Sequence, residues 1–192
     1  MTSMCHNADM FRRLVVASFG LAVLATAGDA RATPVSFGPN DVPTVFFINK
    51  SDDHNRVDYG IRLDSNCAPI GDDAVFPYWR EFEHAPPVVT HPLGIFEYVP
   101  YGFSEQRLVH RNMQGGDDLI RLKQLARPIL IRARKGADGR CTATAYARIG
   151  GVEGAELVSV YAKLAGPMSV DYIDIHGKNP QTGADITERV RP

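Results

Sequence analysis

The sequence predicts a mainly β protein, a single antiparallel β-sandwich or barrel-like domain of about eight to ten strands with at most one or two short helical turns. Three observations predict it. Short runs rich in β-branched and aromatic residues alternate apolar and polar with period two. Turn-forming Gly, Pro, Asn and Asp recur at intervals of roughly 8 to 12 residues. Beyond residue 32, no segment longer than about ten residues keeps a helical period.

Residues 1–32 predict a secretory signal peptide. Arg12 and Arg13 precede an apolar run from Leu14 to Ala27, and Ala30-Arg31-Ala32 offers small side chains for cleavage after Ala32. About 14 weakly apolar residues fall short of the roughly 20 that a bilayer span needs. Met1 and Met10 are both acceptable starts, and the paired arginines leave Sec and twin-arginine export open. The expected location is periplasmic or secreted, with one β-rich domain over residues 33–192 and no membrane span in it. Of 21 Lys+Arg and 22 Asp+Glu, that domain keeps 18 and 20, a net of −2, which gives no basic excess for nucleic acid. Cys5 departs with the signal. The remaining cysteines, Cys67 and Cys141, are expected to pair in an oxidising compartment.

Residues 33–43, with three prolines, read as an extended lead-in. Thr44 to Asn49 is a short apolar strand. Arg56 to Leu63 alternates, with Val57, Tyr59, Ile61 and Leu63 on one face and Asp58, Gly60 and Arg62 on the other. A third strand runs from Val75 to Phe82, after which Pro86, Pro87 and Pro92 oppose regular pairing. Leu93 to Tyr98 predicts one helical turn that Pro100 stops. Strands follow over Glu105 to Arg111, Leu119 to Leu125, Ile129 to Arg134 and Cys141 to Ile149. Leu157 to Leu164, Val170 to Ile175 and Ile186 to Val190 complete the set, the last after the turn signal Asn179 to Gly183.

Charge is segregated along the chain. Residues 33–106 carry a net of −7 and residues 107–140 a net of +6. Arg107, Arg111, Arg132 and Arg134 could form a cationic strip for an anionic envelope polymer. Alternatively, the two halves face and neutralise each other within one fold.

The specific catalytic signatures are missing from the sequence: no G-x-S-x-G, no H-E-x-x-H, no P-loop and no G-x-G-x-x-G. No metal and no cofactor is assigned. Three groups remain as candidates. Asp52-Asp53-His54-Asn55 places carboxylates and an imidazole in one loop, types that bind metals or relay protons but also cap tight turns. Tyr78-Trp79-Arg80, followed by Glu81, Glu83 and His84, offers rings and a planar guanidinium that stack on sugars and clamp a carboxylate, although a lone Trp in a β domain is more often a core residue. Tyr101 is a further candidate binding ring. Tyr172, Asp174 and His176 share one face of a strand, so Asp174 could orient His176 as a general base. Neither Ser51 nor Ser104 is marked as the nucleophile such a base would serve.

The order of Val45-Phe46-Phe47-Ile48, Asn55-Arg56-Val57-Asp58-Tyr59, Val75 to Arg80, Tyr101-Gly102 and Val170 to Gly177, closing with Thr182-Gly183 before Glu188-Arg189, resembles the bacterial family known as domain of unknown function 4833. The resemblance implies an exported single domain of mainly β structure with no assigned activity, and it carries over no catalytic residue. The expected function is a non-catalytic binding or scaffolding domain of the envelope with an unknown ligand or protein partner. The alternative is an envelope enzyme acting on a sugar or peptide polymer through Asp174 and His176 or the loop 52–55. Convergence of His54, Trp79, Arg80 and His176 on one concave pocket would favour the enzyme; a buried Trp79 with scattered histidines would not.

Overall fold

A computed structural model describes residues 42, 44–50, 54–82, 89–112, 115–166 and 169–191, with the side chains of 89 and 110–116 left aside. The expected signal 1–32 and nearly all of the lead-in lie outside the described residues, as do Asp52, Asp53, Glu83, His84, Pro86 and Pro87. The strands are β1 (Thr44–Lys50), β2 (Arg56–Ile61), β3 (Val75–Glu81), β4 (Val89–Pro92), β5 (Phe103–Asn112) and β6 (Gly115–Leu122). Then come β7 (Leu125–Lys135), β8 (Cys141–Ile149), β9 (Val152–Gly166), β10 (Ser169–Lys178) and β11 (Asp185–Val190), and one helical turn, α1 (Tyr98–Tyr101), precedes β5.

These strands form one sheet. Its path runs β4-β3-β2-β1-β9-β8-β7-β6-β5, with β10 also on β9 and β11 beyond it. The path curls into a half-barrel, the second of the two mainly β forms, sandwich or barrel-like, that the sequence left open. The long strand β9 organises it. β10 pairs with β9 from Glu156 to Gly166. At Glu156 and Leu157, β9 also pairs with β8, and from Ser159 to Ala162 with β1, so β8 and β1 share the edge opposite β10. Two wings, β1–β4 and β8–β5, therefore leave one edge of β9 and face each other. The β1–β9 pairing is parallel, the exception to the antiparallel arrangement expected.

One core fills the space between the wings. Phe46, Tyr59 and Ile61 from one wing meet Ile120, Ile129 and Ile131 from the other, with Leu157 and Ile175 between, all buried. Each such side chain contributes about 1.5–3 kcal/mol of burial free energy. The Phe46 and Tyr59 rings stack at 4.3 Å, and the Tyr59 hydroxyl crosses to donate to the Tyr101 carbonyl at 2.6 Å. Burial raises the Tyr59 hydroxyl well above its ordinary value, so it stays a donor.

Cys67 and Cys141 form a disulfide that ties the loop after β2 to the start of β8, closing a separation of 74 residues. Asp64 builds the turn that presents Cys67: its Oδ1 accepts from the N–H of Asn66 and of Ala68, each at 2.8 Å. Cys67 takes φ 64, the left-handed conformation.

Local differences from the sequence reading have simple causes. Pro92 does not prevent pairing. It ends β4 opposite Tyr78 at an edge of the sheet, where a missing N–H costs no ladder bond. Pro100 does not stop the helical turn but sits within α1, because N–H groups in a first turn have no intrahelical acceptor. Among the described residues no helix is long and apolar enough to cross a membrane.

Candidate functional site

Consecutive residues of a strand face opposite ways, and β3 shows the consequence. Trp79 pairs with Val57 and turns to the core, where it is buried, while Tyr78 and Arg80 turn to the convex face with Asp58. The aromatic–guanidinium group that is contiguous in sequence is thus divided between two faces.

On the concave face, Trp79 meets Tyr101 edge-on at 5.7 Å. Tyr101 in turn lines an apolar cleft at the mouth of the half-barrel, walled by Ile48, Leu122, Leu125, Val160 and Ile173. The cleft is small, with a cavity volume of about 40 Å³, and it opens to solvent. Its walls are aliphatic because β1, β9 and β10 each turn their core-facing positions toward it at the end where the wings part. The Lys50 ammonium lies 4.9 Å above the Trp79 ring, and the buried Trp79 Nε1 has no hydrogen-bond partner. His91, the cross-strand neighbour of Trp79, brings Nε2 to 2.9 Å from Glu81 Oε1. The Glu81 contact, ahead of the carbonyl of Pro92, holds the His91 imidazole above its usual value. Beside the cleft, residues 94–99 carry Ile95 and Phe96, exposed by 87% and 83%.

The convex face of β1–β3 carries a buried ionic network. Asp58 is fully buried and accepts from Arg56 Nε at 2.6 Å and from the Thr44 hydroxyl at 3.0 Å. Arg80 Nε stands 2.6 Å from Asp58 Oδ2 without hydrogen-bond alignment, and Arg80 Nη2 donates to the Tyr78 hydroxyl at 3.0 Å. Burial lowers the Arg80 proton affinity, but the Tyr78 hydroxyl and the Asp58 charge outweigh it and the net shift is upward. The Arg56 guanidinium also lies over the Phe47 and Phe82 rings at 4.2 and 5.1 Å. Every charge here has a partner, as a structural network requires.

On the outer face of β10, Tyr172, Asp174 and His176 do share one side, but their bonds run across to β11. Both Asp174 oxygens accept from Arg189 at 2.7 Å, and His176 Nδ1 meets the Thr187 hydroxyl at 3.2 Å. The Arg189 guanidinium lies 3.8 Å over the Tyr172 ring and holds the Asp174 carboxyl below the usual range. His54 is exposed two residues before β2, which β1 and β9 separate from the His176 strand in the sheet order.

Of the cationic strip, Arg107 pairs with Glu105 at 2.9 Å and Arg132 with Asp117 at 3.4 Å, both on neighbouring positions of β5–β7. Arg134 is exposed, and the side chain of Arg111 lies outside the described residues. Sequence reasoning missed the buried Asp58, the His91–Glu81 pair and the cleft. The first was visible only as a polar position on an alternating strand, and the others depend on which strands become neighbours.

The model of the family described as Domain of unknown function (DUF4833) matches residues 46–189 of the chain. No curated protein and no solved structure matches it.

Proposed function

The chain belongs to the DUF4833 family, and we propose that it is an exported, non-catalytic binding domain whose ligand site is the apolar mouth of the half-barrel. The observation that carries this reading is the cleft itself. It is concave, almost wholly aliphatic in its walls and bordered by the Tyr101 ring, which suits an apolar chain or ring bound by burial of surface. The disposition of the polar candidates supports binding over chemistry: Trp79 is buried, Arg80 faces away from it, and His54 and His176 stand apart. The disulfide Cys67–Cys141 supports export, since such bonds persist in oxidising compartments.

The test is a fluorescence titration of the protein with a dansylated fatty acid. Saturable binding that laurate displaces, and that Val160→Lys abolishes while the circular dichroism spectrum is kept, is the expected result. Absence of saturable binding to the unaltered protein would overturn the proposal.

A further inference from the structure

On the convex face of β2 and β3, two cations share one anion. Arg56 and Arg80 are directly opposite each other in the antiparallel register, the placement in which like charges destabilise a strand pair. Asp58 stands with both: its Oδ1 accepts from Arg56 Nε at 2.6 Å, and its Oδ2 lies 2.6 Å from Arg80 Nε. Among the described residues no other carboxylate pairs with either guanidinium, so the cluster keeps one positive charge in excess.

That excess charge is largely withdrawn from water. The Arg56 side chain is 26% exposed and that of Arg80 20%, which leaves each mostly covered and still reachable from solvent. A cation in such a place carries a desolvation cost that a second anion would offset. Donors remain for that anion. Arg56 engages Nε and Nη2 with Asp58, and Arg80 engages Nη2 with the Tyr78 and Thr44 hydroxyls at 3.0 and 3.3 Å. Among the described residues, the Nη1 of each has no acceptor.

The surroundings select the shape and charge of the anion. Phe47 of β1 and Phe82, the residue after β3, hold their rings 4.2 and 5.1 Å from the Arg56 guanidinium. Rings that flank it from both neighbouring strands cover its faces and leave its edge, and that edge matches the two coplanar oxygens of a carboxylate. Phe82 is 42% exposed and offers apolar surface for the body that carries the carboxylate. Asn49 and Thr90, paired with Arg56 and Arg80, continue the row with neutral polar side chains. One excess charge balances a monoanion, whereas a phosphate dianion would leave negative charge uncompensated in a mostly covered place.

We propose that Arg56 and Arg80 form a binding site for a monocarboxylate borne on a ring or apolar body. Asp58 sets the two guanidiniums, Phe47 and Phe82 fix the plane of Arg56, and the ligand's oxygens accept from the remaining Nη1 donors. The site is on the opposite face of the sheet from the cleft, so it holds or fails independently of the ligand reading given above.

The experiment is an NMR titration of the isotopically labelled full chain with benzoate at constant ionic strength. Benzamide serves as the neutral counterpart and inorganic phosphate as the alternative anion. The Nε–H signals of Arg56 and Arg80 are expected to move saturably with benzoate, and benzamide to bind at least about tenfold more weakly. Arg56→Lys keeps the charge beside Asp58 but lacks the planar fork, and should weaken benzoate about tenfold while its thermal melt shows a folded protein. Val160→Lys, in the wall of the cleft, should bind benzoate as the unaltered protein does. Guanidinium signals of the unaltered protein that stay in place with benzoate overturn the proposal, whether or not the lysine variant folds. Benzamide or phosphate binding as tightly as benzoate, or an Arg56→Lys protein that binds unchanged, overturns it as well. Loss of benzoate binding in Val160→Lys would assign the ligand to the cleft and overturn it too.

Discussion

Arg80 and Asp58 meet on the convex face of the β2–β3 pair, Nε 2.6 Å from Oδ2, while Trp79 between Tyr78 and Arg80 faces the core. A carboxylate with no exposure to solvent is tolerable only while its cations stay in place. Asp58→Asn leaves Arg56 and Arg80 partly buried without a counter-charge and should cost about 3 kcal/mol in urea unfolding. Replacing Asp58 by Leu and Arg80 by Met together should cost less than Asp58→Leu alone, since the pair is removed as a unit. Equal costs for the double and single replacements would show that the ionic pair is not what holds this face.

Period two placed the strand faces correctly along β2 and β8, because those strands alternate cleanly and each has one face on the core. It could not say that the other face of β2 is also covered. A polar residue on an alternating strand reads as solvent-facing, and Asp58 is buried on the convex side instead. The division of Tyr78-Trp79-Arg80 was legible in principle, since the alternation that defines a strand separates consecutive residues. The cleft was not, because it depends on β1 and β8 sharing one edge of β9, a long-range pairing with no local signature.

The disulfide joins the two wings at the end away from the cleft, and its loop of 74 residues makes its loss costly. Cys67→Ala with Cys141→Ala should lose about 4 kcal/mol and lower the melting temperature by about 10 °C. Cys67 sits at φ 64, where a glycine is at ease and an alanine is not. Cys67→Gly with Cys141→Ala should therefore be about 1 kcal/mol more stable than the double alanine variant. Calorimetry of the two variants checks both statements.

Asp118 is buried with Oδ1 unpartnered, and Gln106 reaches only its Oδ2, at 3.4 Å. Burial is the leading cause that raises its carboxyl from 3.8, with the charge of Asp72 adding to it. A raised carboxyl binds its proton more tightly in the folded than in the unfolded chain. Its effect on stability is therefore complete below the ordinary value and is lost as pH rises through the raised one. Asp118→Asn should remove that fall and stabilise the protein at neutral pH by about 1 kcal/mol. Urea midpoints of both proteins from pH 3 to pH 8 measure the difference; parallel curves would contradict it.

Glu188 behaves in the opposite sense. Arg127 holds both of its oxygens at 2.8 Å, and the Gly150 N–H adds a third bond at 2.8 Å. Arg127, ahead of the other causes, draws the Glu188 carboxyl down from 4.5 to about 2. Its stabilisation is present above 4.5 and is lost as pH falls toward about 2. With the pair partly exposed, screening reduces the contribution to roughly 2 kcal/mol. Glu188→Gln should cost that amount at neutral pH and only a small fraction of it at pH 2, read from thermal melts at the two values.

Gly177 tests whether β10 is held against β9 by backbone contact. It follows a register shift between His176 and Gly177 and lies opposite Leu157. A Cβ there would strike the carbonyl oxygen of Glu156 and meet Ile149 Cδ1 at 2.5 Å. The oxygen belongs to the neighbouring strand and cannot swing aside as a side-chain tip could, so the strands must part. Gly177→Ala should cost about 3 kcal/mol. Gly154→Ala provides the contrast, because that position takes φ +65 with open space around a Cβ. Its cost is conformational alone, about 1 kcal/mol. If the two alanine variants unfold at the same urea concentration, close packing at Gly177 does not fix the β9–β10 register, and the bulge alone must do so.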